Sequence, residues 1–253
     1  MRITTMKKYI LSLAAVAMAT TAMASDYIHA SAGLETSHLW RGIEVSSGLT
    51  YNADLSFSDK NDHFRVGLWG GGMFNGDYKE FDYYMSYTNK GFTASVWDIY
   101  NFSDAAPGNH KIFNYKVNET SHFIDAGVAY NFGATTKVPL TLSWNTVIAG
   151  RDRGVTGTKN LYSTFINAAV TAYDSEKWNV TPSVGASFAL SPEDGIDGNF
   201  YSAEHNFSVV DVRLNVTYKL KIKDYPLPIT VGGMWNPDAN KGYFRAAVTL
   251  VNL

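Results

Sequence analysis

The sequence contains no cysteine, so its stability has to come from hydrogen-bonded backbone and packing rather than from disulfides. The missing cysteine also excludes a lipoprotein, whose lipid anchor is attached to that residue. After the first two dozen residues there is no apolar run long enough for a membrane-spanning helix. With 21 basic and 23 acidic residues and no basic tract, nucleic-acid binding is excluded as well. If the chain enters a membrane, it therefore does so as strands.

The beginning of the chain has the form of an export signal. Basic residues precede a short apolar run over residues 9–19, and the small-x-small pattern of residues 22–24 suits a signal peptidase. We predict that residues 1–24 are a cleaved signal peptide. No internal repeat or linker divides the rest of the sequence, so residues 25–253 are expected to form one domain.

The remaining sequence consists of segments in which apolar and polar residues alternate with a period of two. This period predicts β-strands, because successive side chains of a strand point to opposite faces. We predict about twelve strands, at residues 27–43, 49–58, 63–74, 80–88, 92–102, 122–133, 139–149, 162–173, 178–190, 207–222, 227–236 and 242–252.

The connections between these strands alternate in length. Short polar turns such as residues 59–62 and 88–91 follow every second strand, whereas longer loops such as 103–121 and 191–206 mostly follow the others. In an antiparallel array, this alternation places the tight turns at one end and the long loops at the other. An even number of strands also places both chain ends on the short-turn side, as in bacterial outer-membrane barrels.

The composition of the two strand faces indicates which of them contacts water. In one segment Val210, Val212 and Leu214 share a face, while the opposite face is polar and built mainly from small residues that suit a hydrated lumen. Charged residues avoid the apolar face, and aromatic residues concentrate towards the strand ends, as in interfacial girdles. These features favour a membrane barrel with its apolar face in lipid over a soluble β-protein with that face inside.

Two regions need separate expectations. Asp98 has the parity of the apolar Phe92 and Val96, so a bulge or a mixed register is predicted in that strand. The external loop over residues 151–163 is basic through Arg151, Arg153 and Lys159, so it is expected to attract anionic solutes or to contact lipopolysaccharide phosphates.

Several short motifs follow one another along the first part of the predicted barrel. The first strand carries a serine-aliphatic-aromatic-Arg-Gly run, which is followed by a strand with Trp69-Gly70 and by an acidic E-x-D hairpin. In this order the motifs resemble the TorF-type family of outer-membrane porins, in which the middle motif is Gly-Trp-Gly. The resemblance implies a bacterial β-barrel and a porin function, although this chain ends in Val251-Asn252-Leu253 instead of an aromatic residue. The matching residues are Ser37, Leu39, Trp40, Arg41, Gly42, Trp69, Gly70, Glu80 and Asp82.

Charged residues on the predicted lumen face are the candidate functional residues. Charges in a pore set its solute preference by electrostatics, whereas the same charges paired with one another brace or plug the barrel. Arg41 either places a guanidinium at the pore mouth or has a structural role, in which it bonds loop carbonyls beside a bend at Gly42. The pore-lining candidates are Glu35, Arg41, Asp54, Arg65, Asp82, Asp125, Asp211, Arg213 and Arg245.

We predict an all-β antiparallel transmembrane β-barrel of the cell outer membrane that acts as a passive channel for small polar solutes. Its partners are outer-membrane lipid and lipopolysaccharide. One alternative is a closed structural or surface-interaction barrel. Another is a lipid-acting enzyme with Ser, His and Asp or Asn meeting on the outer wall. The six histidines lack metal-site spacing and no nucleophile motif appears, so we predict no metal, no cofactor and no enzymatic activity.

Overall fold

The computed structural model describes residues 27–104, 111–154, 156–195 and 197–253. The predicted signal peptide lies outside the described residues. In the described part the chain is almost entirely β-structure, with a single 3₁₀ turn at Phe132–Ala134. None of the helical structure found there is long and apolar enough to cross a membrane.

Twelve antiparallel strands form a closed barrel. Each strand pairs with the next along the chain, and the last strand pairs with the first, so the wall of the barrel has no free edge. The prediction of an antiparallel barrel with about twelve strands is therefore confirmed. The strands are β1 Ile28–Glu35, β2 Thr50–Ser58, β3 Phe64–Met73, β4 Lys79–Asn89, β5 Phe92–Asn101, β6 His122–Asn131, β7 Leu140–Gly150, β8 Ser163–Val170, β9 Trp178–Ala189, β10 Phe207–Tyr218, β11 Ile229–Asn236 and β12 Lys241–Asn252.

The two ends of the barrel differ as the sequence indicates. The first strand begins and the last strand ends on the same side, where the backbone N–H of Leu253 donates to the carbonyl of Ala30 over 2.9 Å. The tightest connection on this side is Lys90-Gly91, whose positive φ angles of 46° and 83° are those required by a two-residue hairpin turn. The opposite side carries the long loops, although two connections there, 74–78 and 237–240, are also short.

The predicted first strand, residues 27–43, is too long. Strand β1 ends at Glu35, and the chain then turns into the barrel as a small hairpin made of His38–Trp40 and Ile43–Ser46. The turn of this hairpin is Arg41-Gly42, with φ angles of 45° and 83°. We call residues 38–46 the plug hairpin. Its apolar side chains continue the alternating pattern of β1, but they contact the barrel interior instead of lipid.

The apolar face of the wall points outwards, as predicted. Met85 has 61% of its surface exposed, whereas its neighbour along β4, Asp82, is only 4% exposed and faces the interior. Val212 and Leu214 are likewise exposed on the outer wall. The outward direction predicted for Val210 is wrong, because a bulge opposite Gly185 and Ala186 turns this side chain into the interior, where it is fully buried.

An arginine on the outer wall is expected to destabilise the barrel much more than one in the lumen. Val96 lies in the middle of β5 and is exposed on the outer face, whereas the next residue, Ser95, faces inwards opposite Ser86 and Gly127. In lipid vesicles, Val96→Arg should lower the free energy of unfolding by about 2–4 kcal/mol, because the guanidinium meets hydrocarbon at mid-membrane. Chemical unfolding measures this difference. An equal loss in the control Ser95→Arg would contradict the outward orientation.

Candidate functional site in the barrel lumen

The plug hairpin is fixed to the barrel wall through Arg41. Its guanidinium donates two hydrogen bonds to Asp125 of β6, over 2.8 and 2.7 Å, and a third to the hydroxyl of Tyr201 over 2.8 Å. It also lies over the ring of Trp40, 4.6 Å from the centroid. Burial lowers the pKa of Arg41, but Tyr201 and Asp125 raise it more, so the group remains a cation. Arg41 thus contacts a carboxylate and not the loop carbonyls that its structural role predicts.

The neighbouring Gly42 allows the hairpin to approach the wall closely. Its backbone N–H donates to Asp211 over 3.0 Å, and its carbonyl accepts from the side chain of Asn236 over 3.0 Å. A Cβ atom at this position would lie 2.4 Å from the carbonyl oxygen of Val210, and φ is +83°. Only glycine satisfies both conditions without displacing the backbone. The bend predicted at Gly42 is therefore present.

Two further ion pairs support the base of the plug hairpin. Glu35 lies 2.7 Å from the Nε of Arg245 and accepts a hydrogen bond of 2.7 Å from Nδ1 of His38. Asp211 accepts from Arg213 over 2.7 Å while it holds Gly42. A buried carboxylate without such partners would be costly, so these pairs explain how charged groups are accommodated around the hairpin.

The nine candidate residues divide into two groups. Six of them form three pairs around the plug hairpin: Glu35 with Arg245, Asp125 with Arg41, and Asp211 with Arg213. Arg65 pairs with Asp62 in a short turn, and Asp54 accepts from the hydroxyl of Tyr84 over 3.0 Å. Asp82 has no lysine or arginine nitrogen within 4.0 Å among the described residues. The structure therefore brings most candidates together as a brace and leaves Asp82 and Asp54 without a lysine or arginine partner.

A cavity of about 550 Å³ lies beside the plug hairpin inside the barrel. One part of its wall is acidic, with Glu80 and Asp82 from β4, while aromatic side chains make up much of the rest. The backbone N–H of Tyr100 donates to Asp82 over 3.1 Å, which holds that carboxylate against the wall. Glu80 accepts from Asn101 over 3.3 Å. Glu80 entered the sequence analysis only through the E-x-D motif.

Arg151 also lines this cavity, which the sequence did not indicate. Its guanidinium lies over the rings of Phe123 and Phe200, 5.0 and 5.1 Å from their centroids. Burial lowers the pKa of Arg151, and the charge of Glu80 partly opposes that shift. The expectation that Arg151 attracts ligands from the external surface is therefore incorrect, because the residue after β7 turns into the barrel. The aromatic residues that hold it there come from β6 and a distant loop.

A second cavity, of about 340 Å³, lies towards the short-turn end of the barrel. It is lined mainly by polar residues, including Arg65, Ser86 and Thr88. Trp97 lines both this lower cavity and the upper one beside the plug hairpin. The ring of Trp97 is stacked on that of Tyr84, with centroids 4.1 Å apart. We call this stacked pair the partition, because Trp97 lines both cavities and Tyr84 lines the lower one.

A polar cluster lies on the outer wall at Asp98. Strand β5 is regular there, so the predicted bulge or mixed register is wrong. Asp98 does face outwards, but it accepts hydrogen bonds from Nδ1 of His122 over 2.7 Å and from the hydroxyl of Tyr115 over 2.5 Å. The loop around Tyr115 thus folds back over the outer wall and covers the carboxylate.

This cluster is relevant to the enzyme alternative, which requires a serine beside the histidine. Nε2 of His122 lies 2.8 Å from the carbonyl oxygen of Ile112. In a catalytic triad a nucleophilic hydroxyl lies at this place beside the histidine, so here the carbonyl oxygen occupies it. The pair therefore anchors the loop. Elsewhere in the described part of the chain, no three histidine or carboxylate side chains converge in a way that could hold a metal ion.

The closed barrel, its apolar outer wall and its partly plugged lumen define a membrane-type β-barrel. No family model and no curated protein matches the chain. The TorF-type resemblance therefore stays a prediction.

Several solved structures are similar to it. A structure from a study of in-meso crystallization of membrane proteins has a TM-score of 0.49 and 8% identity over 88% of this chain and 82% of its own. The NanC porin has a TM-score of 0.46 and 10% identity over 88% of this chain and 97% of its own. The outer membrane protein OprD from Pseudomonas aeruginosa has a TM-score of 0.37 and 12% identity over 90% of this chain and 66% of its own. All three TM-scores are below 0.5, so the fold assignment rests on the strand pairing of the chain itself.

Proposed function

We propose that this protein is a narrow channel of the bacterial outer membrane through which small polar solutes diffuse passively. The observation that carries the proposal is the presence of two cavities inside one closed barrel that share Trp97 as a lining residue, with the ring of Tyr84 stacked on it. The rest of the upper lumen is occupied by the plug hairpin and its ion pairs, which leaves this side of the barrel as the route.

Along the proposed route, carboxylates without an arginine or lysine partner outnumber the unpartnered Arg151, so the charges favour cationic over anionic solutes. Glu80 and Asp82 line the upper cavity, and Asp54 is hydrogen-bonded to Tyr84 at the partition. None of these three carboxylates has a lysine or arginine nitrogen within 4.0 Å among the described residues. Carboxylates in a narrow pore lower the electrostatic barrier for cations and raise it for anions.

The outer surface supports the remaining parts of the proposal. The exposed apolar residues of the wall suit contact with acyl chains of outer-membrane lipid, and the long-loop end would face lipopolysaccharide. The three ion pairs around the plug hairpin favour a second function, that of a closed barrel whose loops bind a partner. Conductance distinguishes these two functions.

Removing the partition is the direct test of the route. In planar lipid bilayers, Trp97→Ala is expected to raise the single-channel conductance clearly above that of the unmodified protein, because it joins the two cavities. The matched control is Trp144→Ala, since Trp144 is exposed on the outer wall of β7. Folded protein without conductance steps in either form would reject the channel. Steps that Trp97→Ala does not enlarge would show that the route lies elsewhere.

A further inference from the structure

The upper cavity contains charged groups of both signs that the protein itself leaves unpaired. Asp82 is nine-tenths buried or more and is held by one backbone N–H, yet it has no cationic partner within 4.0 Å in the described part of the chain. Arg151 lines the same cavity, and its buried Nε has no hydrogen-bond acceptor there. Buried polar groups are normally paired, so such a combination inside one cavity indicates that a ligand supplies the missing partners.

The contrast with the rest of the lumen strengthens this argument. Around the plug hairpin every candidate carboxylate has an arginine at hydrogen-bonding distance, as in the pair of Arg41 with Asp125. Asp82 and Glu80 lie next to that network, and they remain without lysine or arginine within 4.0 Å. Among the residues described, the open cavity therefore contains carboxylates without an arginine or lysine partner, whereas the candidate carboxylates of the braced region are all paired.

The remaining wall of the cavity suits the apolar part and the cationic end of a small molecule. Trp40, Trp69 and Trp97 all line it, and an ammonium group is attracted to the face of an indole ring. A volume of about 550 Å³ is in the range of small-molecule sites, and a few convergent polar groups on an aromatic wall are typical of them.

We propose that this cavity binds a small zwitterion that carries an ammonium group and a carboxylate, as an amino acid does. Asp82 and Glu80 accept hydrogen bonds from the ammonium group, and Arg151 donates to the carboxylate. A simple anion would face two carboxylates, and a simple cation would leave Arg151 unpaired. The inference names the solute class of the proposed channel and rests on that function for its biological meaning.

Three related probes test the two ends of the ligand separately. Free phenylalanine has both charges, phenethylamine has only the ammonium group, and 3-phenylpropanoate has only the carboxylate. Isothermal titration calorimetry on the full chain, folded in detergent, should show binding of phenylalanine and at least about tenfold weaker binding of the other two. A lost charged hydrogen bond typically weakens affinity by this factor or more.

Substitutions then assign each end to its residue. Asp82→Asn should weaken the binding of phenylalanine and of phenethylamine about tenfold, and it should leave the binding of 3-phenylpropanoate unchanged or make it tighter. Arg151→Gln should weaken the binding of phenylalanine and of 3-phenylpropanoate. The controls Asp77→Asn and Arg153→Gln change loop residues outside the cavity lining and should leave all affinities unchanged. Glu80→Gln replaces Asp82→Asn if that variant does not fold, as judged by its β-sheet circular dichroism.

Binding and conduction are measured independently, so the two proposals can fail separately. No heat of binding with phenylalanine in folded protein at millimolar concentration would overturn the inference even if the channel conducts. Binding of phenethylamine as tight as that of phenylalanine and insensitive to Arg151→Gln would also overturn it, in favour of a cation site. Binding without conductance would retain the site and reject the channel.

Discussion

Replacing the plug hairpin, residues 38–46, by a short glycine–serine linker between Ser37 and Ser47 is expected to raise the single-channel conductance several-fold. The hairpin occupies the upper lumen and carries Trp40, which packs with Phe123 and Tyr201 at centroid distances of 5.8 and 5.5 Å. The wall strands are hydrogen-bonded to one another without it, because β1 pairs directly with β2 and β12. The barrel should therefore remain closed while its lumen widens.

The same deletion is expected to leave the preference for cations nearly unchanged. Removing Arg41 leaves Asp125 without its partner, whereas Asp211 keeps Arg213 and Glu35 keeps Arg245. The deletion also removes Glu44, which lines the upper cavity, so the lumen loses one charge of each sign and the reversal potential in a potassium chloride gradient should stay close to that of the unmodified protein.

A linker of the same kind in place of residues 221–226, a turn at the short-turn end, is the matched control for the deletion. It should leave both the conductance and the reversal potential unchanged. A plug deletion that folds and conducts like the unmodified protein would contradict the position assigned to the hairpin.

The second large effect is expected at the pair of Arg41 and Asp125. The side chains are only 15% and 2% exposed, so removing one partner leaves a buried and unpaired charge. Arg41→Ala should lower the free energy of unfolding by about 3–5 kcal/mol, as measured by chemical unfolding in lipid vesicles. The double variant Arg41→Met/Asp125→Leu removes both charges and should recover much of this loss.

An exposed ion pair provides the control for that measurement. Arg65 pairs with Asp62 over 2.8 Å at a short turn, where water screens both groups. Arg65→Ala should cost about 1 kcal/mol or less. The hydrogen bond from Arg65 is the largest influence on the Asp62 carboxyl, and it lowers the pKa of that group. Asp62 therefore stays ionised near neutral pH, and protonation does not weaken the pair. A loss in Arg41→Ala as small as that in Arg65→Ala would mean that the plug is not anchored by its charge.

The wall of the barrel could be predicted almost completely from the sequence. The period of two places Met85 and Asp82 on opposite faces of β4 whatever the rest of the chain does, since it follows from strand geometry alone. The turn chemistry of Lys90-Gly91 specifies a tight hairpin in the same local way. The small polar residues on one face of the strands indicated that the opposite, apolar face contacts lipid.

The sequence errors share one cause. Leu39 and Trp40 continue the apolar pattern of β1, so the sequence offered no sign that they pack inside the lumen against residues from β6 and a distant loop. Arg151 resembled a surface cation for the same reason, because the aromatic rings that it contacts belong to Phe123 and Phe200, which are far from it in the sequence. Asp98 suggested an irregular strand because its parity gave no sign of the hydrogen bond that it accepts from Tyr115, 17 positions further along the chain.

The sequence by itself determined the strands, their number, the polarity of the two ends and the outward apolar face, because each of these depends on residues a few positions apart. Only the tertiary structure decided which lumen charges are paired. An ion pair depends on distances of a few ångströms between side chains such as Arg41 and Asp125, which are 84 positions apart in the chain. The separation of the braced plug from the cavity at Asp82 and Arg151 arises from those distances.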